Sequence, residues 1–218
     1  MGEDDEVIVL DLWNSPFAAR VRIALREKGL EFESIEQDLV NKSSLLLEMN
    51  PINKQVPVLI HNGKPICEST TIIQYVDETW TTTTPLLPAD PYQRSRARFW
   101  ADYMDKKIYN AAKKLWPVGQ EGATEHLIEC LKTIESELGD KPYLGGHAFG
   151  LADINLVSFS TMFYTWEKCG NFSLSAECPK LAAWSSRCRE RDSVVKSVPD
   201  PLKYYDFLMN LLEKKPSN

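Results

Sequence analysis

Three short segments carry residues whose types and order could do chemistry. In the first, Trp13-Asn14-Ser15-Pro16-Phe17-Ala18-Ala19-Arg20, Ser15 precedes a proline suited to the first position of a helix. A serine there sets its hydroxyl beside the unpaired N–H groups of the first turn, where the helix dipole favours an anion. The same placement also describes a serine that only caps the helix. In the second, Val56-Pro57-Val58, the proline cannot donate to a β-ladder, so it opens a strand or lies on an edge. A cis bond there releases the backbone of Val56 to pair with an extended peptide ligand. In the third, Glu68-Ser69 ends a hairpin and begins a helix. A carboxylate, a hydroxyl and helix N–H groups together could hold the ammonium and carboxylate of an amino acid, or simply cap the helix.

The surrounding periodicity supplies elements to hold these segments. Val7 to Leu12 reads as a buried strand, and Phe17, Val21, Ala24 and Leu25 form the apolar stripe of a helix that stops at Gly29. Phe32 to Glu36 is the second strand of a βαβ unit. The apolar run from Val56 to Glu68 is split by Asn62-Gly63, a two-residue hairpin signal. That register sets Cys67 opposite Val58 and away from His61, which argues against a His61–Cys67 nucleophile pair. Ser69 to Thr79 reads as a helix capped by Ser69 or Thr70. Residues 81–93, with a threonine run and three prolines, read as a linker between domains. Beyond it the period is helical: one long helix through Phe99, Trp100, Met104, Ile108 and Leu115, a second through Leu127 to Leu138, a third through Leu181, Trp184 and Cys188, and a last through Leu202 to Leu212. Around Gly150, Asp153 fits a capping box, with Phe149 and Ile154 spaced as a hydrophobic staple. The expectation is an α/β unit over 1–80, the linker over 81–93, and an all-α unit over 94–218.

Composition narrows the function. The 218 residues include 25 Lys+Arg and 31 Asp+Glu, a net charge of −6 without a basic run, which offers no footprint for nucleic acid or an anionic membrane surface. No apolar run approaches the roughly 20 residues that span a bilayer. Five cysteines form no C-x-x-C pair and the three histidines are scattered, so no metal site is expected, and a reducing, cytoplasmic setting fits best. The chain has no G-x-G-x-x-G, Walker loop, G-x-S-x-G or H-E-x-x-H motif.

The three chemical segments occur in the order of a known family. The runs S-P-F-A-A-R-V-R-I-A-L-R-E-K-G, D-L-V-N-K-S-S-L-L-L and P-V-L-I-H-N-G-K-P-I-C-E-S resemble the soluble glutathione transferases, and in wording the plant tau class. The likeness continues through D-P-Y-Q-R, F-W-A-D-Y and E-C-P-K-L. The resemblance implies an α/β thioredoxin-like N-terminal domain that binds glutathione, an all-α C-terminal domain that carries a hydrophobic acceptor site, and a homodimer. It implies that Ser15 donates to the glutathione sulfur and that Val56 pairs with the cysteinyl backbone beside a cis-Pro57. Glu68 and Ser69 would hold the γ-glutamyl end, and Lys42 would meet the glycyl carboxylate. Gln55 departs from the lysine common in tau-class relatives, which implies weaker glutathione binding. The matching acceptor-site positions are Phe17, Tyr109, Lys113, Trp116, Met162, Trp166, Phe207 and Leu211, each of which helix periodicity alone could also place in the core.

Three activities share such a fold. The first joins glutathione to hydrophobic electrophiles, with reduction of organic hydroperoxides as a related reaction. The second is a non-catalytic carrier (a ligandin) of hydrophobic small molecules, for which a thiolate donor such as Ser15 is unnecessary. The third, thiol–disulfide exchange, needs a cysteine where this chain has Ser15.

Overall fold

The computed structural model describes residues 5–115 and 119–213. A four-stranded sheet in the order β2-β1-β3-β4 is built from β1 (Val7–Asp11), β2 (Glu33–Glu36), β3 (Val58–His61) and β4 (Lys64–Cys67). β1 and β2 run parallel, joined by α1 (Pro16–Glu27), while β3 is antiparallel to both β1 and β4. Alternate strand residues feed opposite faces, and both faces are covered. Val7, Val9 and Leu59 meet Val21 and Leu25 of α1 and Ile72 and Val76 of α3 (Ser69–Thr79). Leu10, Val58 and Ile60 meet Leu46 of α2 (Ser44–Met49). A strand buried on both sides reads as a continuous apolar run, as the central strands β1 and β3 do. The hairpin turn has Asn62 at φ 50° and Gly63 at φ 75°, and Val58 pairs with Cys67 and His61 with Lys64, as the spacing requires.

Two local expectations are corrected. Helix α2 was not anticipated, because six residues are too few to display a period. Its signal is Ser43, whose hydroxyl accepts from the Leu46 N–H at 3.1 Å. Nor do Ser69 or Thr70 cap α3: the cap position is Glu68, and no side chain bonds there. Both hydroxyls are engaged elsewhere, Ser69 Oγ accepting from Arg20 at 3.3 Å and Thr70 Oγ1 donating to Asn155 at 3.0 Å.

The remaining elements are helical. α4 (Pro91–Tyr103), capped by Asp90, continues into a π-helical segment at Met104–Tyr109, α5 (Asn110–Ala112) and a closing 3-10 turn at Lys113–Leu115. The single expected helix is therefore one path with a change of winding. Its buried stripe runs through Ala97, Ala101, Met104, Ile108, Ala111 and Leu115, while Phe99 is exposed. α6 (Ala123–Leu138), α7 (Leu151–Val157), α8 (Ser160–Gly170), α9 (Leu174–Glu177), α10 (Pro179–Arg189), α11 (Asp192–Val195) and α12 (Pro201–Glu213) complete it. None is long and apolar enough to cross a membrane.

α7 begins where the capping box was expected. Asp153 Oδ2 accepts from the Gly150 N–H at 3.2 Å, and glycine can return no side chain, so half of the box forms. Gly150 itself is required by contact rather than by φ: a Cβ would stand 2.6 Å from the Leu86 carbonyl oxygen, which already accepts from the Leu151 N–H at 2.8 Å. Gly150→Ala should therefore lower unfolding free energy by about 2–4 kcal/mol, overpacking plus a lost hydrogen bond. Urea denaturation checks this, and a change under about 0.5 kcal/mol, the range of a neutral surface substitution, would contradict it.

Candidate active site

A cavity of about 340 Å³ opens where α1, the loop after α2 and the hairpin meet. Gln55, Val56, Glu68 and Ser69 line it together with Phe17. The Val56–Pro57 bond is cis, and both residues precede β3. Glu68 stands at φ 68°, a conformation that costs a non-glycine residue roughly 1–3 kcal/mol and that persists mainly where function over-determines it. Its carboxylate accepts from Asn53 Nδ2 at 2.7 Å. The loop carrying Gln55 is tied by buried Asn50, whose amide donates to the Gln55 carbonyl at 3.0 Å and accepts from the Asn53 N–H at 3.1 Å. Asn50 and Asn53 both line the cavity, and sequence reasoning missed them; the turn composition of residues 50–53 was the available signal.

Ser15 is the N-cap of α1, and its Oγ accepts from the Ala18 N–H at 3.2 Å. An oxygen that accepts in this way keeps its own proton to donate. Ser15 is half-buried two residues before Phe17, though not itself in the cavity wall. Lys42, in the loop between β2 and α2, is half-buried and also outside the wall.

Behind Ser69 lies a buried cation that the sequence reading did not single out. Arg20, fully buried, donates to both Asp105 oxygens, to Ser69 Oγ, to Ser158 Oγ at 3.2 Å and to the Asn155 carbonyl at 3.2 Å. Its guanidinium also lies over the rings of Phe17 and Phe159. A buried charge needs such partners, and the effect is to lock Ser69 Oγ as an acceptor, leaving its proton for a ligand. Asp105 comes from the π-helical segment, a feature common at functional sites.

The Phe17 ring bridges to a second, smaller cavity of about 130 Å³: it meets Tyr109 edge-on, with centroids 5.2 Å apart. Tyr109, Lys113, Met162 and Trp166 all line this second space, as does the thiol-bearing Cys169. Trp116 lies outside the described residues. From α12 the lining residues are Tyr204 and Leu208 rather than the expected Phe207 and Leu211. Those two form the neighbouring helical row, roughly 60° round at 3.6 residues per turn. Phe207 packs edge-on against Trp13 at 5.2 Å, and Leu211 is 46% exposed. Burial pushes the Tyr204 hydroxyl up to about 12, reinforced by Tyr109, and burial also raises Tyr109 and Cys169. These groups are protonated donors at neutral pH. Among the described residues no group of His, Cys, Asp and Glu is placed to hold a metal ion.

Comparison with known proteins gives one consistent result. The glutathione S-transferase N-terminal domain family matches residues 5–78, and the glutathione S-transferase C-terminal domain family matches residues 120–192. The chain is 56% identical over 213 residues to glutathione S-transferase U19 of Arabidopsis thaliana, covering 96% of this chain and 97% of the relative. It is 54% identical over 215 residues to the probable glutathione S-transferase parC of Nicotiana tabacum, covering 97% of each. Among solved structures, rice GST1 (OsGSTU1) in complex with glutathione superposes with a TM-score of 0.95 at 46% identity, covering 99% of this chain and 100% of that one. The tau-class enzyme of mango, Mangifera indica, gives 0.89 at 38% identity, covering 94% and 98%.

Proposed function

The chain belongs to the glutathione S-transferase family, in its tau class, and is an enzyme of that activity; from this premise we propose how its own residues carry the reaction. Residues 1–80 form the glutathione-binding domain, 81–93 the linker, and 94–218 the domain that contributes most of the acceptor site. Glutathione lies along the larger cavity. Its γ-glutamyl ammonium meets Glu68, its γ-glutamyl carboxylate accepts a hydrogen bond from the Ser69 hydroxyl, and its cysteinyl backbone pairs with Val56. Lys42 and Gln55 meet the glycyl carboxylate. Ser15 then donates to the sulfur, stabilising the thiolate, which is the nucleophile. The hydrophobic electrophile sits across Phe17 in the smaller cavity, bounded by Tyr109, Lys113, Met162 and Trp166.

Binding brings the two reactants together, and attack of sulfur on carbon either expels a leaving group or leaves a carbanion that takes a proton from water. With an organic hydroperoxide the thiolate attacks the terminal oxygen, releasing the alcohol. The resulting sulfenic acid reacts with a second glutathione to give the disulfide and water. The observation that carries this reading is the convergence of Gln55, Val56, Glu68 and Ser69 on one cavity, with Ser69 polarised by Arg20. The test is a pH titration of enzyme-bound glutathione by thiolate ultraviolet absorbance. A thiol pKa clearly below that of the free tripeptide is the expected result, and binding with an unshifted pKa would favour the carrier reading.

Gln55 tunes this affinity. A neutral amide bonds a carboxylate with about half the strength of a charged donor, so Gln55→Lys should tighten glutathione binding by about 1 kcal/mol, roughly fivefold in Kd, with a steeper salt dependence. An unchanged affinity and salt dependence would remove Gln55 from the site. The active form is proposed to be a homodimer: Tyr92 and Phe99, two turns apart on one face of α4, are 65% and 59% exposed, a pattern suited to cover by a second copy. Sedimentation velocity at micromolar protein reads this directly.

A further inference from the structure

Four residues of α8, Met162, Thr165, Trp166 and Cys169, stand at helical spacings of three and four and together line the smaller cavity. Three are large or sulfur-bearing side chains. The fourth, Thr165, is 5% exposed, and its hydroxyl has no hydrogen-bond partner among the described residues. A buried hydroxyl without a partner costs roughly 1–3 kcal/mol, and native structures hold few of them. A helical threonine can satisfy itself on the carbonyl four residues back, but this one does not. Valine would fill the same volume without that cost, so packing alone does not account for threonine. Of the other unpartnered buried side-chain groups, Ser160 lines neither this cavity nor the larger one, and Trp100 lies elsewhere on α4.

We infer that Thr165 is a specificity-determining residue that favours α,β-unsaturated carbonyl acceptors, its hydroxyl donating to the carbonyl oxygen on which negative charge develops. This rests on the assignment of the smaller cavity to the acceptor. The hydroxyl surrenders no protein bond when it turns about Cα–Cβ to an occupant. The cavity, at about 130 Å³, is below the roughly 300–1,000 Å³ of drug-sized pockets, which suits a single small ring or short chain. In the reaction the thiolate sulfur bonds to the β-carbon and the C=C pair shifts to give an enolate. Thr165 O–H donates to the enolate oxygen, and the α-carbon takes a proton from water. A donor that turns to meet such developing charge acts on the transition state more than on the bound substrate.

The test uses the full chain with glutathione and two small electrophiles, cyclohex-2-enone and benzyl chloride, the second having no accepting oxygen. Thr165→Val should lower kcat with the enone about tenfold and leave benzyl chloride turnover within about twofold, and Thr165→Ser should restore the enone rate. An equal loss on both electrophiles, or no loss on either, overturns the inference. Turnover of benzyl chloride but not of the enone by the unmodified chain overturns it while leaving the transferase assignment of the cavity standing. Failure with both electrophiles removes that assignment, and the inference with it.

Discussion

Ser15→Ala should return the thiol pKa of bound glutathione to that of the free tripeptide and lower kcat/KM for conjugation by roughly 100-fold or more, the loss typical of removing one preorganised donor to a developing or stabilised anion. The argument is geometric. Ser15 Oγ accepts from the Ala18 N–H at 3.2 Å, so its proton is the half of the hydroxyl left to give, at the positive end of α1. Glutathione affinity should change little, because Gln55, Val56, Glu68 and Ser69 are untouched. The variant also loses a helix cap, worth about 1 kcal/mol, which a thermal melt separates from the catalytic effect. An alanine variant that keeps a depressed thiol pKa would transfer the activating role to another donor. Ser15→Cys should gain thiol transfer and lose conjugation, since only sulfur forms a mixed disulfide.

How much of this was readable in advance depends on whether a feature is local. The strand, helix, strand and hairpin of the first 80 residues follow from period changes and from Asn62-Gly63, and the register that parts His61 from Cys67 follows from the turn alone. Gln55, Val56, Glu68 and Ser69 could be placed in one cavity only through resemblance, since nothing in their spacing says that the loop folds back on the hairpin. Arg20 and its partners were invisible for a related reason. Asp105, Asn155 and Ser158 are 85, 135 and 138 residues away from it, and a charged residue in a helix ordinarily reads as solvated. The π-helical segment likewise leaves the apolar pattern of one long helix nearly intact, with Met104 and Ile108 buried in the same stripe. For α12 the row Tyr204–Leu208 and the row Phe207–Leu211 are equally apolar, and only tertiary packing selects between them.

The largest stability effect is expected at Asp153. This carboxylate is fully buried at the start of α7, and it accepts from the Leu144 N–H at 2.8 Å, from Trp184 Nε1 at 2.9 Å and from the Gly150 N–H at 3.2 Å. Asp153→Ala leaves two buried donors and the part-buried Gly150 N–H without an acceptor, the buried ones costing about 1–3 kcal/mol each, so a total loss of about 2–6 kcal/mol is expected in urea denaturation, a large part of a domain's usual 5–15 kcal/mol. Burial pushes the Asp153 pKa up to about 6 from an ordinary 3.8, only partly offset by these hydrogen bonds. A native pKa above the unfolded one means that the folded chain binds the proton more tightly. The contribution of this group to stability is therefore greatest below about pH 4, falls as pH rises to about 6, and is constant above. Asp153→Asn removes the titration while keeping an acceptor for Leu144 and Trp184. The stability difference between the two proteins should thus shift against the unmodified chain between pH 4 and pH 6, and a difference flat with pH would show that the buried carboxyl titrates normally. The damage from Asp153→Ala should also reach the site. α7 carries Asn155 and its C-terminal cap Ser158, which hold Arg20, and Arg20 holds Ser69. Glutathione affinity should weaken alongside stability, even though Asp153 lines neither the larger cavity nor the smaller one.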